Sequence, residues 1–251
     1  VENNDWLHDK KRMTDFINGW KDACNESGVT WGGGETPTMK GVLQEGTVDL
    51  AGSAVGIIKN PKHLLTDKKL KGGDRILFIK SNGINSNGVS LARAVATNLK
   101  DGYATKMESG QTFGEGLLTK SNLYANVVQD LLQSGIDLHY ITNITGHGLR
   151  KIMRGRPEFT YQIDQVFEPH EVFSFIQKNA KISDFEAYDT FNMGQDYALF
   201  LPSQDLKKAQ EIIKKHKFES LDAGSVQKGS RQVVIKSKDI IFTSKSLDLR
   251  K

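Results

Sequence analysis

The chain has 251 residues, a mass of 27.9 kDa, 37% hydrophobic residues and a formal net charge of +4. This length can bury a core without disulfides, and the single Cys24 permits no internal disulfide. Basic residues are not interleaved with aromatic ones in a stacking pattern, and no apolar run approaches the roughly 20 residues that span a bilayer. We therefore expect a cytoplasmic protein that binds neither nucleic acid nor membrane.

The first predicted element is an amphipathic helix over residues 9–27. Its apolar residues recur at spacings of three and four, and Gly28 is placed to cap its end. They are Met13, Phe16, Ile17, Trp20 and Cys24, and we expect Cys24 to be a packing residue. Three successive glycines, residues 32–34, then predict a loop with unusual backbone freedom.

The remaining elements alternate irregularly between strand and helix. Apolar and β-branched runs predict strands over 47–58, 75–80, 139–144 and 196–201 and a pair of strands within 231–242. Helical patterns cover 86–99, 121–134, 169–177 and 204–216, and a short helix is expected from residue 148 to 153. This order predicts an α/β (α+β) fold with a mixed sheet and flanking helices rather than an open parallel sheet.

Four predicted strand ends carry clusters of Gly, Asn, Ser or Thr: residues 32–36, 81–88, 143–148 and 191–194. Strand ends that converge on one rim expose backbone N–H groups, which bind anions. The pattern indicates a phosphate-bearing ligand, with Ser86 or Asn87 capping the helix that follows the second cluster. Ordinary turns are the alternative, because Asn and Gly supply left-handed backbone everywhere in proteins.

Five motifs follow one another along the chain: GGETPTMKG at 33–41, DLAGSAVG at 49–56, SNGINSNGVSL at 81–91, NITGHGL at 143–149 and TFNMG at 190–194. In this order they resemble the aminoimidazole ribonucleotide synthetase family, also called phosphoribosylformylglycinamidine cyclo-ligase. The resemblance covers roughly 160 residues and implies the fold of that superfamily's C-terminal domain.

Two departures from the family pattern concern ionisable groups. Asn85 and Asn143 stand where the family has histidine, and His147 stands where it has glycine. Asparagine forms hydrogen bonds but carries no proton near neutral pH. His147 is therefore the candidate proton carrier, with an incidental loop histidine as the alternative.

The resemblance also implies a division of the chain. Residues 1–45 would be the end of an N-terminal ATP-binding domain, and residues 46–251 the C-terminal synthetase-like domain. A chain that opens at Val1 just before GGET is then expected to be a fragment or processed product, inactive alone. The intact protein would be a homodimer, and a monomeric fragment is left open.

The implied reaction uses ATP and Mg²⁺ to close the imidazole ring of formylglycinamidine ribonucleotide. Glu35, His147 and Asn85 would be catalytic, with Glu35 also a metal ligand, and Gly33, Gly34 and Thr36 would bind the cofactor. The phosphoribosyl substrate would contact Ser81, Gly83, Ser86, Asn87, Gly88, Thr145, Gly146 and Asn192. The alternative is a divergent paralogue, either a non-catalytic metabolite-binding module or a small-molecule kinase.

Overall fold

The computed structural model describes residues 1–247 and divides into two compact units. The first comprises Val1–His63 with Leu123–Val128, and the second comprises Leu64–Asn122 with the chain from Gln129 onward. This division lies later in the chain than the domain boundary expected after residue 45, which stays a prediction.

The first unit contains the predicted amphipathic helix. A short helix, α1 (Asp5–His8), precedes α2 (Lys10–Ser27). The Asp9 side chain accepts a hydrogen bond from the Arg12 N–H at 3.0 Å, which satisfies one of the free donors of the first turn. Gly28 ends α2 with φ of 68°, so the predicted glycine cap is confirmed.

The strand expected over residues 47–58 is wrong. The segment forms no strand, and Val55 and Ile57 are 100% and 85% exposed. β-branched residues favour a strand only where neighbouring strands and a buried face receive them. Among residues 1–63 no strand is present to pair with this one.

The second unit is built on a mixed sheet of seven strands. In chain order these are β1 (Arg75–Lys80), β2 (Tyr140–Asn143), β3 (Phe159–Ile163), β4 (Gln195–Leu201), β5 (Ser220–Lys228), β6 (Gln232–Ile235) and β7 (Ile240–Thr243). They lie in the order β2-β4-β1-β5-β3-β6-β7, antiparallel except for the parallel pair β3 and β6. The predicted fold class is confirmed, and the pair expected within 231–242 is β6 with β7.

Six helices follow in the described chain after residue 64, one of which begins in the first unit. They are α3 (Val89–Asn98), α4 (Phe113–Leu117), α5 (Ala125–Gln133), α6 (Glu171–Ala180), α7 (Asp184–Thr190) and α8 (Leu206–Lys215). A 3-10 helix spans Gly148–Arg154, where a short helix is predicted. None of the helices among the described residues combines the length and the apolar character needed to cross a bilayer.

The interior strand β1 is covered on both of its faces. Ile76, Leu77, Phe78 and Ile79 are all fully buried, so both faces of the strand are covered. A strand covered on both faces reads as an unbroken hydrophobic run rather than an alternating one. Phe78 packs in the same cluster as Ala92 of α3, which places the helix after β1 over the sheet.

Close packing between β3 and β5 predicts a sharp effect of one added methyl group. A Cβ on Gly224 would lie 1.9 Å from the Gln162 carbonyl oxygen on the neighbouring strand. We expect Gly224→Ala to lower the free energy of unfolding of the second unit by about 1 to 3 kcal/mol. Hydrogen exchange of the β3 and β5 amides measures this effect.

Gly72→Ala, also in the second unit, is the matched control, because the atom nearest to a Cβ there is Lys228 Cγ at an ordinary contact distance of 3.4 Å. Its effect should stay within about 0.5 kcal/mol. Equal protection factors in wild type and Gly224→Ala would contradict the close approach of the two strands.

Candidate functional site

Three of the four glycine-rich clusters meet at one end of the sheet. Lys80 at the end of β1 pairs with Gln195 at the start of β4, and Asn143 at the end of β2 pairs with Tyr197. Because β4 is antiparallel to both neighbours, its first residues lie beside the last residues of β1 and β2. The loops 81–88 and 143–148 and the turn 191–194 therefore form one rim, which we call the β4 rim.

Asn192 is the hydrogen-bonding centre of the β4 rim. Its Oδ1 accepts from the Gly194 N–H at 2.9 Å and from Ser81 Oγ at 3.2 Å. Its Nδ2 donates to the Gly83 carbonyl at 2.9 Å and to Asp196 Oδ1 at 3.3 Å. With Asn192 only 1% exposed, every polar atom of the side chain is used inside the protein.

Ser81 and Gly83 serve the same internal network. The Ser81 N–H donates to the Gly194 carbonyl at 2.9 Å, and His170 Nε2 lies 2.8 Å from the Ser81 carbonyl. Gly83 is buried, and a Cβ on it would lie 3.3 Å from Thr119. In this structure Ser81, Gly83 and Asn192, all predicted to bind substrate, hold the loop in shape.

The expected side-chain cap of α3 is wrong. Gly88 occupies the cap position with φ of 67°, and neither Ser86 nor Asn87 bonds to the first turn. A Cβ on Gly88 would lie 2.0 Å from the Phe191 ring, so only glycine fits between the helix start and the core. The Asn87 N–H donates to the Ile84 carbonyl at 3.4 Å, and Ser86 is exposed.

Asn87 faces the second loop of the β4 rim. Its Oδ1 lies 3.4 Å from the position that a Cβ on Gly146 would occupy. Gly146 is exposed and Thr145 is half-buried, so this part of the rim is open to solvent. Among the predicted substrate residues, Asn87, Thr145 and Gly146 thus lie together where the two loops meet.

A buried lysine organises the loop 143–148. Lys151, only 5% exposed, donates from Nζ to Asn143 Oδ1 at 3.0 Å and to Thr145 Oγ1. Burial, and then the charge of Arg154, lowers the pKa of Lys151 to about 8. Within residues 1–247 no carboxylate forms an ion pair with Lys151, so its charge is balanced only by neutral oxygens.

His147 lies in a cationic neighbourhood. Burial lowers its pKa, and the charges of Arg150, Arg154 and Lys151 act in the same direction. Asp189 opposes them, although it is itself bound by Arg150, whose Nε lies 2.6 Å from Asp189 Oδ1. At neutral pH the His147 imidazole is therefore biased towards its neutral form, which can accept a proton.

Asp196 places a carboxylate under the first loop. It is 4% exposed, and its Oδ1 accepts from Asn85 Nδ2 at 2.7 Å as well as from Asn192. Asn85 itself has a left-handed backbone with φ of 56°, a conformation that asparagine tolerates well. Its Oδ1 is buried and accepts no hydrogen bond from the described residues.

The fourth glycine-rich cluster belongs to the first unit. Gly33, Gly34, Glu35 and Thr36 are exposed and lie in a segment without regular secondary structure. Gly33 has φ of 137°, as expected for a loop that needs glycine. The roles predicted for these residues in binding ATP and Mg²⁺ stay predictions.

Sequence reasoning missed Lys151 and Asp196. Lys151 lies in the predicted short helix 148–153 and is not among the predicted site residues, yet its neighbours Leu149, Ile152 and Met153 are all buried. These apolar neighbours are the sequence feature that could have indicated that Lys151 is buried. Asp196 is the first residue of the predicted strand 196–201, and no local pattern marks a carboxylate that is buried by contacts from distant loops.

Residues 71–237 match the model "AIR synthase related protein, C-terminal domain". A phosphoribosylformylglycinamidine cyclo-ligase of Rippkaea orientalis is 31% identical over 234 residues, which cover 91% of this chain and 68% of the relative. The enzyme of the same name from Prochlorococcus marinus is 34% identical over 218 residues, covering 85% of this chain and 63% of the relative.

A third relative of that name, from Methanococcus maripaludis, is 32% identical over 210 residues and 59% of its own length is covered. The chain therefore spans between 59% and 68% of these curated relatives. Among solved structures, hydrogenase maturation protein HypE in complex with ATP aligns with a TM-score of 0.48 and 18% identity. That alignment covers 68% of this chain and 50% of HypE.

The lowered pKa of Lys151 predicts how stability depends on pH. Unfolded lysine titrates at about 10.4, whereas Lys151 in the folded chain titrates at about 8. Between these values the unfolded state binds more protons, so the contribution of Lys151 to stability rises with pH. Lys151→Met should remove this rise.

The measurement is hydrogen exchange of the β1 amides at pH 7.5, 8.5 and 9.5, corrected for intrinsic exchange rates. The three tryptophans, Trp6, Trp20 and Trp31, lie in the first unit, so their fluorescence would not report on the second. Lys178→Met, at an exposed position of α6, is the control and should keep the wild-type dependence. The same pH dependence in Lys151→Met and wild type would contradict the prediction.

Proposed function

Because this chain belongs to the AIR synthase related protein family, whose C-terminal domain it contains, we propose that it takes part in the ATP-dependent closure of an imidazole ring. The substrate is formylglycinamidine ribonucleotide, and the product is aminoimidazole ribonucleotide. The observation that carries the proposal is the family match over residues 71–237, which contains all three loops of the β4 rim. Relatives matched over most of this chain are named phosphoribosylformylglycinamidine cyclo-ligase.

The chemistry requires two charged ligands in line. A phosphoryl group passes from ATP to the formyl amide oxygen. The amidine nitrogen then attacks the formyl carbon, and the phosphorylated oxygen leaves as phosphate. Such a reaction depends on positioning and on groups that stabilise developing charge. The β4 rim supplies the amides of Asn85 and Asn143 and the hydroxyl of Thr145, and the buried ammonium of Lys151 lies behind Asn143 and Thr145.

The proton steps are assigned to the second loop. Ring closure releases a proton from the amidine nitrogen, and a neutral imidazole can accept it. Burial and the neighbouring cations lower the pKa of His147, which favours the neutral imidazole, and His147 lies in the loop with Thr145 and Gly146. In this proposal His147 is the base, while Asn85 orients the substrate and carries no proton.

ATP and Mg²⁺ belong to the proposal through the first unit. Mg²⁺ in phosphoryl transfer is held by one or two carboxylates together with the phosphates of the nucleotide. Among the described residues no group of three or more His, Cys, Asp or Glu side chains could hold a metal alone. Glu35 would supply the protein ligand, Gly33, Gly34 and Thr36 would contact the phosphates, and the intact protein would be a homodimer.

The test is product formation by the full-length gene product that contains residues 1–251. We expect ADP release that depends on formylglycinamidine ribonucleotide, together with an aminoimidazole product detected by diazo coupling. ADP release without a ring product would identify a small-molecule kinase of the same superfamily. Ligand binding without ADP release would identify a metabolite-binding module, and either result would overturn the proposal.

Asn87→Ala tests whether the meeting point of the two loops contacts the substrate. The substitution removes an amide at the open part of the β4 rim without touching the buried Asn192 network. We expect the KM for the ribonucleotide to rise several-fold with kcat little changed, since the lost contact exists before and during the reaction.

Ser90→Ala, at an exposed position of α3, is the control for this substitution. The KM for the ribonucleotide and kcat are measured by steady-state kinetics for both variants in parallel. A KM for Asn87→Ala equal to that of the control would remove Asn87 from the substrate site.

A further inference from the structure

The two asparagines at the family's histidine positions each bind a charged partner, and the partners have opposite sign. Asn85 bonds to the Asp196 carboxylate, and Asn143 bonds to the Lys151 ammonium. A carboxylate only accepts hydrogen bonds, and an ammonium only donates them. The partner therefore decides which end of each amide points towards it.

For Asn85 the carboxylate fixes the amide nitrogen. Nδ2 donates to Asp196 Oδ1 at 2.7 Å, and a flipped amide would bring two acceptor oxygens together. Oδ1 is then directed elsewhere, and it is buried without a donor among the described residues. A buried acceptor without a donor is unfavourable, so an N–H group brought by a ligand would be favoured there.

For Asn143 the ammonium fixes the amide oxygen. Oδ1 accepts from Lys151 Nζ at 3.0 Å, so Nδ2 is left as the outward group of an exposed residue at the end of β2. In residues 1–247 no hydrogen-bond acceptor for Asn143 Nδ2 is found. A cation on the oxygen of an amide also polarises its N–H groups and makes them stronger donors.

The two amides are tied to the same segment of β4. Asp196 binds Asn85 through its side chain, while its carbonyl accepts from the Ile144 N–H at 2.7 Å, next to Asn143. Asn143 pairs in register with Tyr197, the residue after Asp196. One segment of strand thus sets the position of both asparagines.

We propose that Asp196 and Lys151 are positioning residues that hold Asn85 and Asn143 in opposite orientations, so that the β4 rim offers a ligand one carbonyl acceptor and one amide donor. The ligand class is an amide or amidine that carries an N–H group and a carbonyl oxygen close together. Formylglycinamidine ribonucleotide has both, with the amidine N–H for Asn85 and the formyl oxygen for Asn143. The identity of this ligand rests on the proposed function, whereas the orientations of the amides do not.

Two isosteric substitutions are expected to change hydrogen-exchange protection in opposite directions if the two amides are oriented oppositely. Asn143→Asp places a carboxylate beside the buried Lys151 and should increase the protection of the β2 and β4 amides from hydrogen exchange. Asn85→Asp places a carboxylate beside Asp196 and should decrease that protection. The double variant Asn85→Asp with Asp196→Asn exchanges the amide and the carboxylate, so it should restore the exchange protection of the β2 and β4 amides. It also keeps the test valid if Asn85→Asp alone fails to fold.

Ligand binding is measured by calorimetric titration of the full-length protein with formylglycinamidine ribonucleotide. Asn143→Asp removes the donor while keeping the fold, so we expect the Kd to rise about tenfold or more, the scale of one charge-assisted hydrogen bond. The double variant keeps an acceptor at position 85 and should bind within about threefold of wild type, a difference smaller than one such bond.

The exchange and binding results separately test the amide orientations, the donor role of Asn143 and the proposed function. Changes of exchange protection with the same sign in Asn143→Asp and Asn85→Asp would overturn the opposite orientations. Opposite signs with an unchanged Kd in Asn143→Asp would overturn the donor role of Asn143 towards the ligand. A wild-type protein that does not bind the ribonucleotide would instead contradict the proposed function, while the exchange data would still decide the orientations.

Discussion

The pairing of β4 between β1 and β2 is the constraint on which the candidate site depends. β4 is hydrogen-bonded to β1 on one side and to the edge strand β2 on the other, antiparallel to both. Loops that are about 60 residues apart in sequence meet only because the start of β4 lies beside the ends of its two neighbours. A register shift of one residue in β4 would turn Asp196 to the opposite face of the sheet and break its bonds to both loops.

The turn before β4 extends this constraint into the first loop. Asn192 binds Ser81, Gly83 and Gly194, and Gln195, fully buried, donates from Nε2 to the Asn192 carbonyl at 3.1 Å. Buried amide networks are stable only when every polar atom has a partner, and Asn192 meets that condition. A rigid turn of this kind holds the first loop beside β4, where Asn85 reaches the Asp196 carboxylate.

Some elements can be predicted from neighbouring residues in the sequence, whereas others depend on contacts between distant segments. The hydrophobic run of β1 and the stripe of α2 predicted their elements almost to the residue, because burial on both faces or on one stripe leaves a periodic pattern. β5 was missed because Asp222 and Gly224 weaken its strand pattern, although pairing with β1 and β3 stabilises it in the centre of the sheet. The clusters of the rim were found from glycine and asparagine, whereas Lys151 and Asp196 were not, because their burial is decided by contacts across the sheet.

Asn85 and Asn143 stand where the sequence resemblance leads one to expect histidine, and an amide forms hydrogen bonds there without carrying a proton. An amide has a donor end and an acceptor end, but nothing in the side chain itself decides which end faces the ligand. In this chain the decision is made by a buried charge behind each amide, and both charges were invisible as site residues in the sequence. Burying Lys151 without a carboxylate partner is costly for the fold, as its lowered pKa shows. That cost is explained if the ammonium acts through Asn143 and Thr145, since a neutral side chain could not fix their orientation as strongly.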